Sequence, residues 1–222
     1  MYVVTDGKRK WVGEKQIRTG RGIVDPRNPP DWARVFPAWF IDRVEKMERG
    51  PQVMHPKDIG AIVAHTGLGS GWEVVEGGSG SGLLTAYLAN IVKPGMVYSY
   101  ELREEFLKIA ERNIQKLGLK NVVFRRGSVF EFREEPDMVV FDLPNPWQGV
   151  ERVRERLKEG GFFVCYLPTV NQVLRWVRET KDFIERRVIQ VNEVEWRVKE
   201  NALRPKSKTL AHTAFICIAR KS

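Results

Sequence analysis

The chain has 222 residues, a mass of 25.6 kDa, 42% hydrophobic and 29% charged residues, and a net charge of +9. That balance is globular and excludes a disordered chain, and no apolar run approaches the ~20 residues of a membrane span. The start, MYVVTDGKRKW, lacks the apolar core of a signal peptide. Cys165 and Cys217 lie in apolar strand-like runs, away from metal-ligand spacing, so the expectation is a soluble, cytoplasmic protein with no membrane association and no metal.

The charge is unevenly placed. Residues 1–50 carry a net +4, residues 51–183 a net of zero, and residues 184–222 a net +5. Two basic ends around a neutral middle suit a phosphate backbone. The alternative is lysine and arginine kept on the surface for solubility.

In chain order, residues 1–35 hold short strand-like runs and the Pro-rich stretch DPRNPPDW. PAWFIDRVEKM predicts a helix broken at Gly50-Pro51, and a second helix starts at Pro56 and stops near Gly67 or Gly69. A βα alternation follows. The predicted strands are 72–78, 96–102, 121–127, 137–144 and 162–168; the predicted helices are 83–92, 103–118, 147–159 and 171–183. Residues 184–198 and 213–221 read as two longer final strands. Alternation implies a parallel α/β sheet, and the last pair adds an antiparallel strand. This pattern resembles the Rossmann-like seven-stranded sheet of class I S-adenosylmethionine (SAM) methyltransferases, with a small N-terminal β-rich appendage.

Glu76-Gly-Gly-Ser-Gly-Ser-Gly82 falls between a strand and a helix. Its glycines permit a tight turn and close approach of backbone to a ligand. Such a loop serves SAM or a dinucleotide, or is a plain turn. Glu76 before the glycines favours SAM, because methyltransferases place an acid near its amino group. Glu101, at the end of the next strand, suits ribose hydroxyls in either case.

Asp142-Leu-Pro-Asn-Pro-Trp147 follows the fourth strand, which puts Asp142 at the carboxyl edge of the sheet. Two prolines stiffen the turn. A carboxylate there can accept a hydrogen bond from a purine's exocyclic amine, stabilise the charge that develops when a ring nitrogen is methylated, and take the proton. The alternative is a turn or capping aspartate.

GPQVMHPKD (50–58), VVEGGSGSGLLT (74–85), YSYELREEF (98–106), FDLPNPW (141–147), CYLPTVNQV (165–173) and RPKSKTLAHTAF (204–215) occur in this order. Together they resemble the tRNA (adenine-58-N1)-methyltransferase family, in its bacterial and archaeal homo-oligomeric form. The resemblance covers residues ~36–222 and implies a catalytic domain there, with residues 1–35 as a small substrate-binding region. It implies SAM as cofactor, tRNA as partner, and a homotetramer. Gln52, Glu76, Gly78, Ser79, Gly80, Ser81, Glu101, Arg103 and Asp142 would line the cofactor site. Asp142 would be the catalytic carboxylate, with His55 and Tyr166 beside the target adenine. Arg204 and His212 would lie near the substrate or a subunit contact.

Where the family usually has an acid for the SAM adenine, this sequence has Arg126-Gly-Ser-Val129, leaving Gly127 and Ser128 to make that contact. The bland readings are a helix-capping His55, a core Tyr166, a structural His212 and a helix-surface His65. Two other functions stay open: a SAM methyltransferase of another substrate class, and a non-catalytic RNA-binding subunit.

Overall fold

The computed structural model describes residues 1–50, 53–207 and 210–222. Five short strands open the chain: β1 (Tyr2–Thr5), β2 (Lys10–Gly13), β3 (Ile17–Thr19), β4 (Gly22–Val24) and β5 (Arg34–Pro37). They pair as a β2-β1-β5 sheet and a β3-β4 hairpin. Val4, Ile17 and Val24 form a separate small core beneath them. A short helix α1 (Phe40–Val44) leads into α2 (Pro56–Thr66), which starts on its proline and ends at Gly67 in the left-handed conformation.

The main domain alternates β6 (Val74–Gly77), α3 (Leu83–Val92), β7 (Val97–Glu101), α4 (Glu104–Leu117), β8 (Val122–Arg126), β9 (Met138–Phe141), α5 (Val150–Arg156), β10 (Phe162–Leu167) and α6 (Val170–Glu179). β11 (Ile184–Ile189), β12 (Trp196–Lys199), β13 (Ala202–Pro205) and β14 (Phe215–Arg220) complete the chain. The central sheet has the order β11-β14-β10-β9-β6-β7-β8. β14 runs antiparallel to β10 and β11, and the other pairs are parallel. β6 and β9 are buried at every position, as strands covered on both faces must be. Two apolar clusters flank the sheet, one under α2, α3 and α4 and the other under α5 and α6.

One predicted element is corrected. Residues 184–198 are not a single strand. β11 stops at Ile189, which pairs with Ile216, one residue from the start of β14 at Phe215. Past that point the ladder has no partner. The chain leaves the sheet and makes a separate hairpin, β12-β13, with Lys199 opposite Ala202. Both hairpin strands are exposed throughout.

Candidate active site

Sheet register builds the site. β7, β6, β9 and β10 are neighbours, and Gly77 stands level with Tyr100 and with Phe141, which stands level with Cys165. One step further along each strand gives Glu101, Gly78, Asp142 and Tyr166. Four residues far apart in sequence thus form one row across the carboxyl edge, at the switch point where α/β sheets bind ligands. The Asp142 N–H donates to Gly77 O at 2.9 Å, fixing the turn after β9 against the loop after β6.

A cavity of about 510 Å³ opens over this row. Gly78, Ser79, Gly80, Ser81, Glu101, Arg103, Asp142 and Tyr166, all anticipated from sequence, line it. Gly78 has φ +93°, and a Cβ there would sit 2.5 Å from Asp142 O. No other residue fits this approach. Glu101 is buried; it accepts from Gly80 N and Arg103 N, both at 3.0 Å. The Arg103 guanidinium lies 3.9 Å from the Phe106 ring centre.

Glu76 lies beneath the lining, fully buried. Oε2 accepts from Thr85 at 2.6 Å and Ser99 at 2.5 Å. Oε1 is buried with no hydrogen-bond partner among the described residues. Burial pushes the carboxyl up to about 7; the nearby Asp142 and Glu101 charges add to this, and the two hydroxyls oppose it. Asp142 is half-buried and pushed up to about 6 by burial. Its carboxylate accepts no hydrogen bond among the described residues and faces the cavity.

Tyr166 is tied from behind. Its hydroxyl donates to Asp58 Oδ2 at 2.8 Å, and Thr213 donates to the same oxygen at 2.9 Å. Lys57 Nζ contacts Asp58 Oδ1 at 2.6 Å, Thr213 Oγ1 at 2.8 Å and Val191 O at 2.8 Å. The first turn of α2 thereby holds β10 and the approach to β14.

The remaining candidates fall elsewhere. His55 is the N-cap residue of α2, exposed, without a side-chain capping bond and off the cavity lining. Gly127 and Ser128 are also off the lining, and the Ser128 hydroxyl caps the turn after β8 by accepting from Phe130 N at 3.2 Å. His212 Nε2 is 2.9 Å from Pro168 O, with its ring 4.9 Å from that of Phe215, so it props one wall of the cavity. Arg204 is on the exposed β13 and His65 on the exposed face of α2. Gln52 lies outside the described residues. Among the described residues no group of His, Cys, Asp and Glu could hold a metal, and no helix is long and apolar enough to cross a membrane.

Comparison with known proteins decides what this arrangement belongs to. Residues 44–215 match the family described as "tRNA methyltransferase complex GCD14 subunit". The chain belongs to this tRNA methyltransferase family.

A relative from Methanocaldococcus jannaschii, tRNA (adenine(57)-N(1)/adenine(58)-N(1))-methyltransferase TrmI, is 35% identical across 98% of this chain and 93% of its own. The solved tRNA (m1A58) methyltransferase TrmI of Aquifex aeolicus superposes with a TM-score of 0.84 at 25% identity, over 100% of this chain and 96% of that one. A SAM-dependent O-methyltransferase from Thermotoga maritima gives 0.86 at 29% identity, over 99% and 92%. Both structures share the fold, and fold alone does not choose the atom that is methylated.

Within this methyltransferase site, sequence reasoning missed the walls. Met54, Leu102, Leu143, Pro144, Pro168 and Gln172 also line the cavity. Gln172 was detectable: Thr169-x-x-Gln172 is a capping box, and Gln172 Nε2 reaches back to Pro144 O at 3.0 Å. Lys57 and Asp58 lie in the HPKD stretch, where sequence alone does not reveal the network they build with Thr213 and Tyr166.

Proposed function

We infer that this protein transfers a methyl group from SAM to N1 of adenine in tRNA, in the T-loop around position 58. The observation that carries the reading is Asp142: a carboxylate with no hydrogen-bond partner among the described residues, facing a cavity of about 510 Å³ beside a glycine turn that admits no Cβ. The relatives named for N1-adenine methylation of tRNA support the substrate.

The residues fit SAM. Gly78, Ser79, Gly80 and Ser81 form the close backbone approach, Glu101 sits at the end of β7 where it can accept from ribose hydroxyls, and Glu76 keeps an unpartnered carboxyl oxygen under the loop for the SAM amino group. Bound there, SAM supplies an electrophilic methyl on a sulfonium. The protein's own work is positioning and charge. Asp142 accepts a hydrogen bond from the adenine N6 amine, which aims N1. As N1 gains its methyl the ring becomes cationic and N6 more acidic; Asp142 stabilises that charge and takes the proton. Tyr166 offers a ring in the same row, and Leu102, Leu143 and Pro168 give the cavity apolar walls. The target base must leave the RNA stack to reach this depth.

The protein works in the cytoplasm as a homo-oligomer, a tetramer by family resemblance. Supporting this, Ile184 and Val188 on the edge strand β11, and Trp196, Val198 and Leu203 on the hairpin, are exposed apolar side chains. Light scattering on the purified chain tests it, and a monomer overturns it.

Incubation with SAM and unmodified tRNA, followed by nucleoside mass spectrometry and mapping, tests the activity. N1-methyladenosine in the T-loop is expected. No methylated nucleoside, or a methyl on another atom, overturns the reading.

A further inference from the structure

A second cavity, of about 120 Å³, lies at the seam between the N-terminal strands and the catalytic domain, where α1 meets α4. Arg43, Lys46 and Lys116 line it, with Glu14 as its one carboxylate and Met47 and Leu117 as apolar floor. The Arg43, Lys46 and Lys116 side chains outnumber the Glu14 carboxylate three to one.

This charge is not neutralised nearby. Lys10 already holds Asp42 and Glu45, and Arg112 holds Glu48. No ion pair among the described residues involves Arg43, Lys46, Lys116 or Glu14, and Arg43 Nε is buried without a hydrogen-bond partner. A guanidinium left without a carboxylate partner, beside two lysines that are also without one among the described residues, favours an anion as its counter-charge. Lys116 lies in the last turn of α4 and Arg43 in the last turn of α1, where helix dipoles favour cations, but a dipole end supplies no full negative charge to balance them.

We propose that this notch binds a backbone phosphate of the RNA substrate, away from the methylation cavity. It rests on the tRNA reading above. Arg43 donates from its terminal guanidinium nitrogens to the phosphate oxygens, and Lys46 and Lys116 add charge at the rim. The notch belongs to the basic N-terminal segment of net +4, which the chemistry at Asp142 does not use. It anchors the RNA and does not touch the reacting base.

The test is tRNA affinity against salt, from about 50 to 200 mM, for the full chain and for Arg43→Gln. The variant is expected to bind tRNA more weakly and to lose about one unit of log–log salt slope. SAM affinity by calorimetry and kcat at saturating tRNA should stay at wild-type values. An unchanged slope overturns the proposal.

If Arg43→Gln melts early, the surface double variant Lys46→Gln/Lys116→Gln serves instead, and its slope must also fall. Inorganic phosphate provides the other arm. If it raises the melting temperature of the wild type alone while the two salt slopes agree, the notch takes free anions and the RNA assignment is wrong. A wild type that does not bind tRNA removes the functional reading itself, whereas a tRNA-binding wild type with an insensitive slope removes only the notch.

Discussion

The Tyr166 hydroxyl donates to Asp58 Oδ2 at 2.8 Å, joining residues 108 positions apart. Burial, with Asp58 beside it, holds the phenol above its usual range. Tyr166 is therefore neither a base nor a proton carrier: its oxygen faces backwards into the Asp58–Lys57–Thr213 network. Its contribution to the cavity is the ring. Tyr166→Phe should retain turnover within about tenfold, since it removes one hydrogen bond. Tyr166→Ala should also lose base stacking, worth about 1–3 kcal/mol. Steady-state kinetics on tRNA separate them, and equal losses in both variants would return the role to the hydroxyl.

The same network makes Asp58 structural. Its side chain is fully buried and Lys57 is 8% exposed. Asp58→Ala leaves the Lys57 ammonium buried without its carboxylate, and removing one partner of such a pair costs roughly 3–5 kcal/mol. Thermal unfolding should show a large drop for Asp58→Ala. A melting temperature near wild type would mean that Lys57 finds solvent.

Asp142 should set the acid limb of activity. Burial raises it to about 6 in the free protein. The base form is the one that accepts from N6, so kcat/KM should rise with pH through about 6 and then level. Asp142→Ala should abolish methylation and leave SAM binding by calorimetry intact. Retained methylation in that variant would remove Asp142 from the chemistry.

Glu76 makes stability depend on pH in an unusual direction. Its folded carboxyl sits at about 7, above the reference value of 4.5. The folded state therefore binds the proton more tightly than the unfolded chain. That stabilisation is complete below about 4.5, falls as pH rises, and is gone above about 7, a change of roughly 3 kcal/mol. Asp142, also raised by burial, acts in the same direction. Glu76→Gln keeps a neutral group in place, so it should melt above wild type at pH 8 and vary less across that window. A lower melting temperature at pH 8 would show that charged Glu76 is compensated.

The parts of this molecule that were legible share a cause. β6, β9 and β10 are short apolar runs closed by glycine or proline, and a buried parallel strand needs little else. The glycine loop and Asp142 follow directly, because strand ends place them. The β12-β13 hairpin was not legible. Its two-residue turn, Glu200-Asn201, carries no glycine or proline, and its exposed strands alternate like a continuation of β11. Ser128 shows the other limit: a hydroxyl that can face a ligand can equally cap a turn, and only coordinates tell the two apart. Cavity walls such as Met54 and Leu143 read as core, since burial against a ligand and burial against protein look the same in sequence.

Gly78 allows the sharpest test of the cofactor cradle. A methyl group there would sit 2.5 Å from Asp142 O, 3.3 Å from Leu143 Cδ2, and on a backbone at φ +93°. The carbonyl belongs to the turn that presents Asp142, so relief of the clash must move the catalytic carboxylate or the loop after β6. The strained backbone alone costs on the order of 1–3 kcal/mol. Gly78→Ala should therefore weaken SAM binding and slow methylation together, whereas Asp142→Ala affects methylation alone. Calorimetry with SAM on both variants makes the comparison. Wild-type SAM affinity in Gly78→Ala would place the cofactor away from this turn.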